Sequence, residues 1–100
     1  MLNITLVKRG TEAELLLDGR LDSNAAGETE DVFTDVSTRF ERIVVDMEKL
    51  EYISSSGLRV LKNLHITMKK KGGELFIRNA GEAVMEVFEM TGFVALLRFI

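Results

Sequence analysis

The segment that most constrains this chain is Ile43-Val44-Val45-Asp46-Met47. It is apolar and β-branched, with almost no alternation. Such a run suits a strand covered on both faces in the middle of a sheet. A central strand needs neighbours on both sides, so the flanking sequence must supply them. Upstream, Asn3-Ile4-Thr5-Leu6-Val7-Lys8 alternates polar and apolar residues with a period of two, the pattern of a strand with one buried face. Arg9-Gly10-Thr11 reads as a turn, and Ala13-Glu14-Leu15-Leu16-Leu17 as the returning strand of a hairpin that ends or bulges at Asp18-Gly19. Downstream, Glu74-Leu75-Phe76-Ile77-Arg78 reads as a further strand.

Helical patterns fill the gaps between these strands. From about Ala25 to Arg39, the residues Ala25, Thr29, Val32, Phe33, Val36 and Phe40 fall on one stripe. The acidic residues Glu28, Glu30, Asp31 and Asp35 lie mostly off that stripe and towards the helix start, where the dipole favours them. Glu48 to Ile53 is expected to be a loop. Ser54-Ser55-Ser56-Gly57 then opens a second helix with Leu58, Leu61, Leu64 (or His65) and Met68 inward. Lys69-Lys70-Lys71 reads as its solvated last turn, and Gly72-Gly73 as its stop. A third helix is expected over about Glu82 to Thr91 and is ended by Gly92, with Val94 to Ile100 forming a final short strand. The order is β-β-α-β-α-β-α-(β). It predicts an α/β domain with a mixed four- to five-stranded sheet, right-handed crossovers and helices packed mainly on one face. One hundred residues suffice for a single domain, 1–100, with one core.

Composition narrows the function. There is no cysteine and one histidine, which excludes disulfides, thiolate metal sites and a two-histidine zinc site within one chain. No metal and no cofactor is expected. The net charge of −3 argues against a general electrostatic grip on nucleic acid. No stretch approaches the ~20 apolar residues of a membrane span, and Met1 to Gly10 lacks the form of a signal peptide, so no direct membrane insertion and a cytoplasmic location are expected. There is no P-loop and no G-x-G-x-x-G.

Three serines running into a glycine at a helix start serve as a cap in the plain reading. The functional reading puts Ser56 at a helix N-terminus, where backbone N–H groups and the dipole accommodate negative charge. A phosphate there would add about −1.5 to −2 charges. The motif follows a buried strand, and in open α/β sheets sites gather outside the carboxyl ends of strands. Asp22 also follows a strand and precedes a helix, so the two segments are candidates to lie side by side. A serine nucleophile would need a base within reach. The one histidine, His65, is nine residues from Ser56, which on one helix means about 14 Å along the axis and the opposite face. No enzyme activity is therefore expected.

With these segments in view, the chain resembles a STAS domain, specifically the stand-alone bacterial anti-sigma factor antagonists. Leu17-Asp18-Gly19-Arg20-Leu21-Asp22-Ser23-Asn24-Ala25 resembles the family's G-x-L-D-x-x-N-A segment. Ile43 to Met47, followed by Ile53-Ser54-Ser55-Ser56-Gly57-Leu58, resembles its strand and D-S-S/T-G-L junction. Gly72-Gly73-Glu74-Leu75 and Thr91-Gly92 also fit. The resemblance implies a phosphorylation switch in signalling and transcription regulation. A partner anti-sigma factor that is also a serine kinase modifies the residue before the glycine, here Ser56, with Ser55 as second choice. The unmodified protein binds that partner and frees a sigma factor. The phosphoprotein lets go, and a serine/threonine phosphatase of the metal-dependent class resets it. The resemblance places Asp22, Ser23, Asn24, Ser54, Ser55, Gly57 and Leu58 at the partner surface. Ser54 stands where the family often has aspartate. The runner-up implied by the same resemblance is a regulatory subunit of a lipid-transporting ABC system that contacts its ATPase.

Overall fold

The computed structural model describes residues 1–100. Strand β1 (Leu2–Arg9) and strand β2 (Glu12–Leu21) form the antiparallel hairpin that the alternation predicts. Its turn is the two residues Gly10 and Thr11, and only Gly10 has positive φ, +62°. That is the pattern of a type II′ turn, whose twist matches the strands it joins and which needs glycine at its first central position. The chain then adds helix α1 (Ala26–Arg39), strand β3 (Arg42–Ile53), helix α2 (Ser55–Lys70), strand β4 (Glu74–Arg78), helix α3 (Glu82–Thr91) and the single turn α4 (Phe93–Leu96). The sheet order is β1-β2-β3-β4, with β2, β3 and β4 mutually parallel.

Two expectations need correction. Glu48 to Ile53 is not a loop but the second half of β3, a twelve-residue strand. It continues because β2 also runs on past Asp18-Gly19, and the two stay paired through register shifts as far as Leu21 with Ile53. A bulge lets a strand keep its partner while changing twist. The C-terminal tail is not a fifth strand. Phe93–Leu96 is helical, and the tail touches the sheet at a single parallel bridge, Ile77 with Phe99. Packing decides this: Phe88, at the core end of α3, stacks on Phe93 with ring centroids 6.3 Å apart and meets Phe99 at 5.9 Å. The rings hold the tail folded over α3 rather than extended.

The helices lie on one face of the sheet. Ala13, Leu15 and Leu17 of β2, Ile43, Val45 and Met47 of β3, and Leu75 and Ile77 of β4 share one core cluster with Phe33 and Val36 of α1, Leu61, Leu64 and Met68 of α2, and Val84 and Phe88 of α3. The other face carries no helix, yet Val44 and Asp46 in mid-β3 are buried there. The sequence suggested a strand covered on both sides, and the second cover is made of side chains from neighbouring strands. The Arg42 guanidinium lies 4.4 Å over the Phe76 ring and is 2.7 Å from Glu12. Arg78 pairs with Glu14 and stands 3.5 Å from Asp46. Paired charges are the condition under which carboxylates such as Glu14 can be buried.

Lys71 also departs from its expected solvated role. Its ammonium donates to the carbonyls of Ser37 and Phe40, at 2.5 and 2.9 Å, and so ties the end of α2 to the end of α1. Met90 is 79% exposed, whereas Met47 and Met68 are buried.

Candidate functional site

The paired ends of β2 and β3 build the site. Ser54 N–H donates to the Leu21 carbonyl at 2.9 Å, so the chain leaves both strands at one place. Residues 22–24 turn towards α1 and residues 54–56 turn into α2. The adjacency suspected from sequence is therefore real.

Each turn is held by a side chain. Asp22 Oδ1 accepts from the N–H groups of Asn24 and Ala25, both at 3.1 Å, and its carbonyl accepts from Ala25 and Ala26. Asp22 thus starts α1 from upstream, and Ala25, which immediately precedes the helix, has no capping side chain. Ser23 and Asn24 are exposed and Asp22 is half-buried.

Ser54 is the N-cap of α2. Its backbone is extended, φ −89° and ψ 173°, and its Oγ accepts from Gly57 N–H at 3.1 Å. Leu58 N–H reaches the Ser54 carbonyl at 2.9 Å. Of the first-turn donors this leaves the N–H groups of Ser55 and Ser56 facing outward. The first turn contains no acidic side chain. The positive end of the helix dipole is therefore not offset from within the helix.

The three serines differ. Ser54 is occupied by capping. Ser55 is exposed and Ser56 half-buried, and neither hydroxyl makes a hydrogen bond within the protein. Gly57 and Leu58 are buried beneath them. A Cβ at Gly57 would stand 2.7 Å from Leu21 Cγ, 2.9 Å from the Leu21 carbonyl oxygen and 3.0 Å from Ile53 Cγ1. Glycine is needed because the first turn of α2 packs directly on the end of β2. Gly57 and Leu58 are buried, whereas Ser23, Asn24 and Ser55 are exposed and Ser54 and Ser56 half-buried.

One neighbouring pair had no separate signal in the sequence. Arg20 and Tyr52 are cross-strand partners one step before Leu21 and Ile53, and the Arg20 guanidinium lies 4.4 Å over the Tyr52 ring. The pair is exposed beside the serine turn. Thirty-two residues separate the two in sequence, and only the shifted register brings them together. His65 is on α2 but nine residues along, so it takes no part in this site.

Comparison with known proteins follows the same lines. The family model described as the STAS domain matches residues 3–100. A Bordetella bronchiseptica protein named as an anti-sigma factor antagonist, BtrV, is 40% identical over 55 residues. That alignment spans 55% of this chain and 47% of that relative, so the chain accounts for only about half of the relative's length. Among solved structures, an anti-sigma factor antagonist from Mycobacterium paratuberculosis superposes with a TM-score of 0.86 at 19% identity, over 99% of this chain and 85% of that one. The phosphorylated form of the Bacillus cell fate determinant SpoIIAA superposes with a TM-score of 0.76 at 18% identity, over 100% and 91%. At these identities the structures establish the shared fold.

Proposed function

The chain belongs to the STAS domain family, and we propose that residues 1–100 act within it as one domain that is an anti-sigma factor antagonist switched by phosphate on Ser56. The observation that carries this reading is the Ser56 hydroxyl itself. It is unbonded and stands on the first turn of α2, which leaves the sheet where the Ser54 N–H to Leu21 carbonyl bond joins it to the segment leading to Ser23 and Asn24. The unmodified surface formed by Asp22, Ser23, Asn24, Ser54 and Ser55 over the buried Gly57 and Leu58 binds an anti-sigma factor that is also a serine kinase. Phosphoryl transfer moves the γ-phosphoryl group of ATP to the Ser56 oxygen, and the hydroxyl proton leaves to the kinase's base. A phosphatase of the metal-dependent class reverses the modification by hydrolysis.

Electrostatics supplies the switch. Two unit charges about 4 Å apart interact by about 1 kcal/mol in water and about 4 at an effective dielectric near 20. A phosphoryl dianion brought into a protein contact against a carboxylate, or left without a partner, therefore costs a few kcal/mol. Each 1.4 kcal/mol is tenfold in affinity. Release needs charge at the contact and no new fold.

The test is intact mass followed by fragment mapping after incubation with the cognate serine kinase, ATP and magnesium. One phosphate on Ser56, absent from Ser56→Ala and retained by Ser55→Ala, is the expected result. No added mass, or phosphate confined to another residue, would show the assignment to be wrong. Stable co-purification with a transporter ATPase, indifferent to Ser56→Asp, would favour the transporter-subunit reading instead.

A further inference from the structure

A second site lies at the other end of α2. Between the last turns of α2, the start of β4 and the C-terminal tail is a groove of about 300 Å³. That is the lower end of the range for small-molecule sites. Its apolar floor is Met68, Leu75 and Leu96, and its polar walls are His65, Lys69 and Arg98. The walls are held in place. His65 and Lys69 are one turn apart on one helix face, and the tail is fixed by the Ile77 N–H to Arg98 carbonyl bond at 2.8 Å and the Ile100 N–H to Ile77 carbonyl bond at 3.0 Å.

The groove is cationic on balance, because Lys69 makes no ion pair. Glu74 is its one carboxylate, at 3.8 Å from Arg98, and it is shared with Arg42 at 3.9 Å. The two cations also act on His65. Burial, and then the charges of Lys69 and Arg98, hold the His65 imidazole below its ordinary pKa. Two cations and a protonatable imidazole around an apolar floor, with one carboxylate beside them, make a place for an external anion.

We infer that this groove binds a small amphiphile, a phosphate or carboxylate head on a short apolar chain, with the head between Lys69, Arg98 and His65 and the chain over Met68, Leu75 and Leu96. The site is independent of the serine switch, since His65 lies about 14 Å along the helix from Ser56 and on its opposite face. A bound anion favours the imidazolium, so it raises the His65 pKa, and binding takes up a proton. Affinity therefore increases as pH falls from 7.5 towards 5.5. The charged groups facing His65 are Lys69 from its own helix, Glu74 from β4 and Arg98 from the tail.

The experiment follows the His65 ring signals by NMR during titration with octyl phosphate below its micelle concentration. Inorganic phosphate, octyl glucoside and an acidic hexapeptide serve as the other arms. Saturable shifts with octyl phosphate, stronger at lower pH and weaker by about tenfold in affinity for Lys69→Gln or Arg98→Gln, are expected. Both side chains are exposed, so these variants keep the fold. Equal binding of octyl glucoside would remove the role of the anion. Equal binding of inorganic phosphate would remove the role of the chain, and tighter binding of the hexapeptide would replace the ligand class. Unchanged affinity in both variants would place the ligand elsewhere.

Discussion

At the residue scale, the serine turn divides into a residue that holds and residues that present. Ser54 spends its oxygen on the Gly57 N–H, so Ser54→Ala is expected to destabilise the fold by about 1 kcal/mol, the usual worth of an N-cap. Ser54→Asp keeps the cap and should stay near wild type in stability. It restores the residue type that the family resemblance associates with this position and puts a negative charge two residues before the proposed phosphate acceptor. Urea unfolding of the two variants distinguishes these outcomes. If alanine and aspartate are equally destabilising, Ser54 is not a cap. Gly57→Ala meets Leu21 Cγ and the Leu21 carbonyl, and the backbone oxygen cannot swing aside. Overpacking of this kind costs about 1–3 kcal/mol, and the same denaturation measurement reads it. The loss should be accompanied by weaker partner binding, because the clash pushes the first turn of α2 away from the end of β2.

At the element scale, two joints carry the architecture, and each can be cut singly. Lys71 joins α2 to α1 through two carbonyls, and Lys71→Met leaves both of them unpartnered. A loss of about 1–2 kcal/mol in thermal or urea unfolding is expected, whereas an unchanged midpoint would make Lys71 a solvated residue after all. On the helix-free face, Glu14 is 6% exposed and pairs with Arg78, with Arg9 at 3.6 Å. Glu14→Gln removes the anion from a mostly buried pair and should cost about 2–3 kcal/mol, with the largest difference at low salt. Equal stability at every salt concentration would contradict this view of the face. These joints also mark where the sequence stopped being legible. The hairpin, the helix stripes and the order of elements could be read because each rests on local periodicity. The second half of β3 could not, because Glu48-Lys49-Leu50-Glu51-Tyr52 has a loop-like composition and is a strand only through pairing with the bulged end of β2. The tail was misassigned for a similar reason. Its extended, apolar sequence is overridden by Phe88, which gathers Phe93 and Phe99 around itself. The candidate site was legible in its serines, its glycine and Asp22. It was not legible in Arg20, whose ring partner is set by a register shift.

At the scale of the whole molecule, the domain is compact, with its proposed switch at the paired ends of β2 and β3. The Cα radius of gyration is 12.2 Å, close to the ~13 Å expected of a compact chain of this length. One core cluster runs beneath all three long helices. A phosphate on the first turn of α2 would meet an unpaired helix dipole and two outward N–H groups, so this packing is expected to stay intact. Modification is therefore expected to change affinity and leave the fold alone. The most direct measurement is the dissociation constant of the cognate anti-sigma factor kinase for the chain made with serine or with phosphoserine at position 56, with far-UV circular dichroism of both forms. Binding weaker by at least about tenfold with superimposable spectra is predicted. Equal affinity for the two forms, or a loss of binding that follows a loss of structure, would contradict the switch.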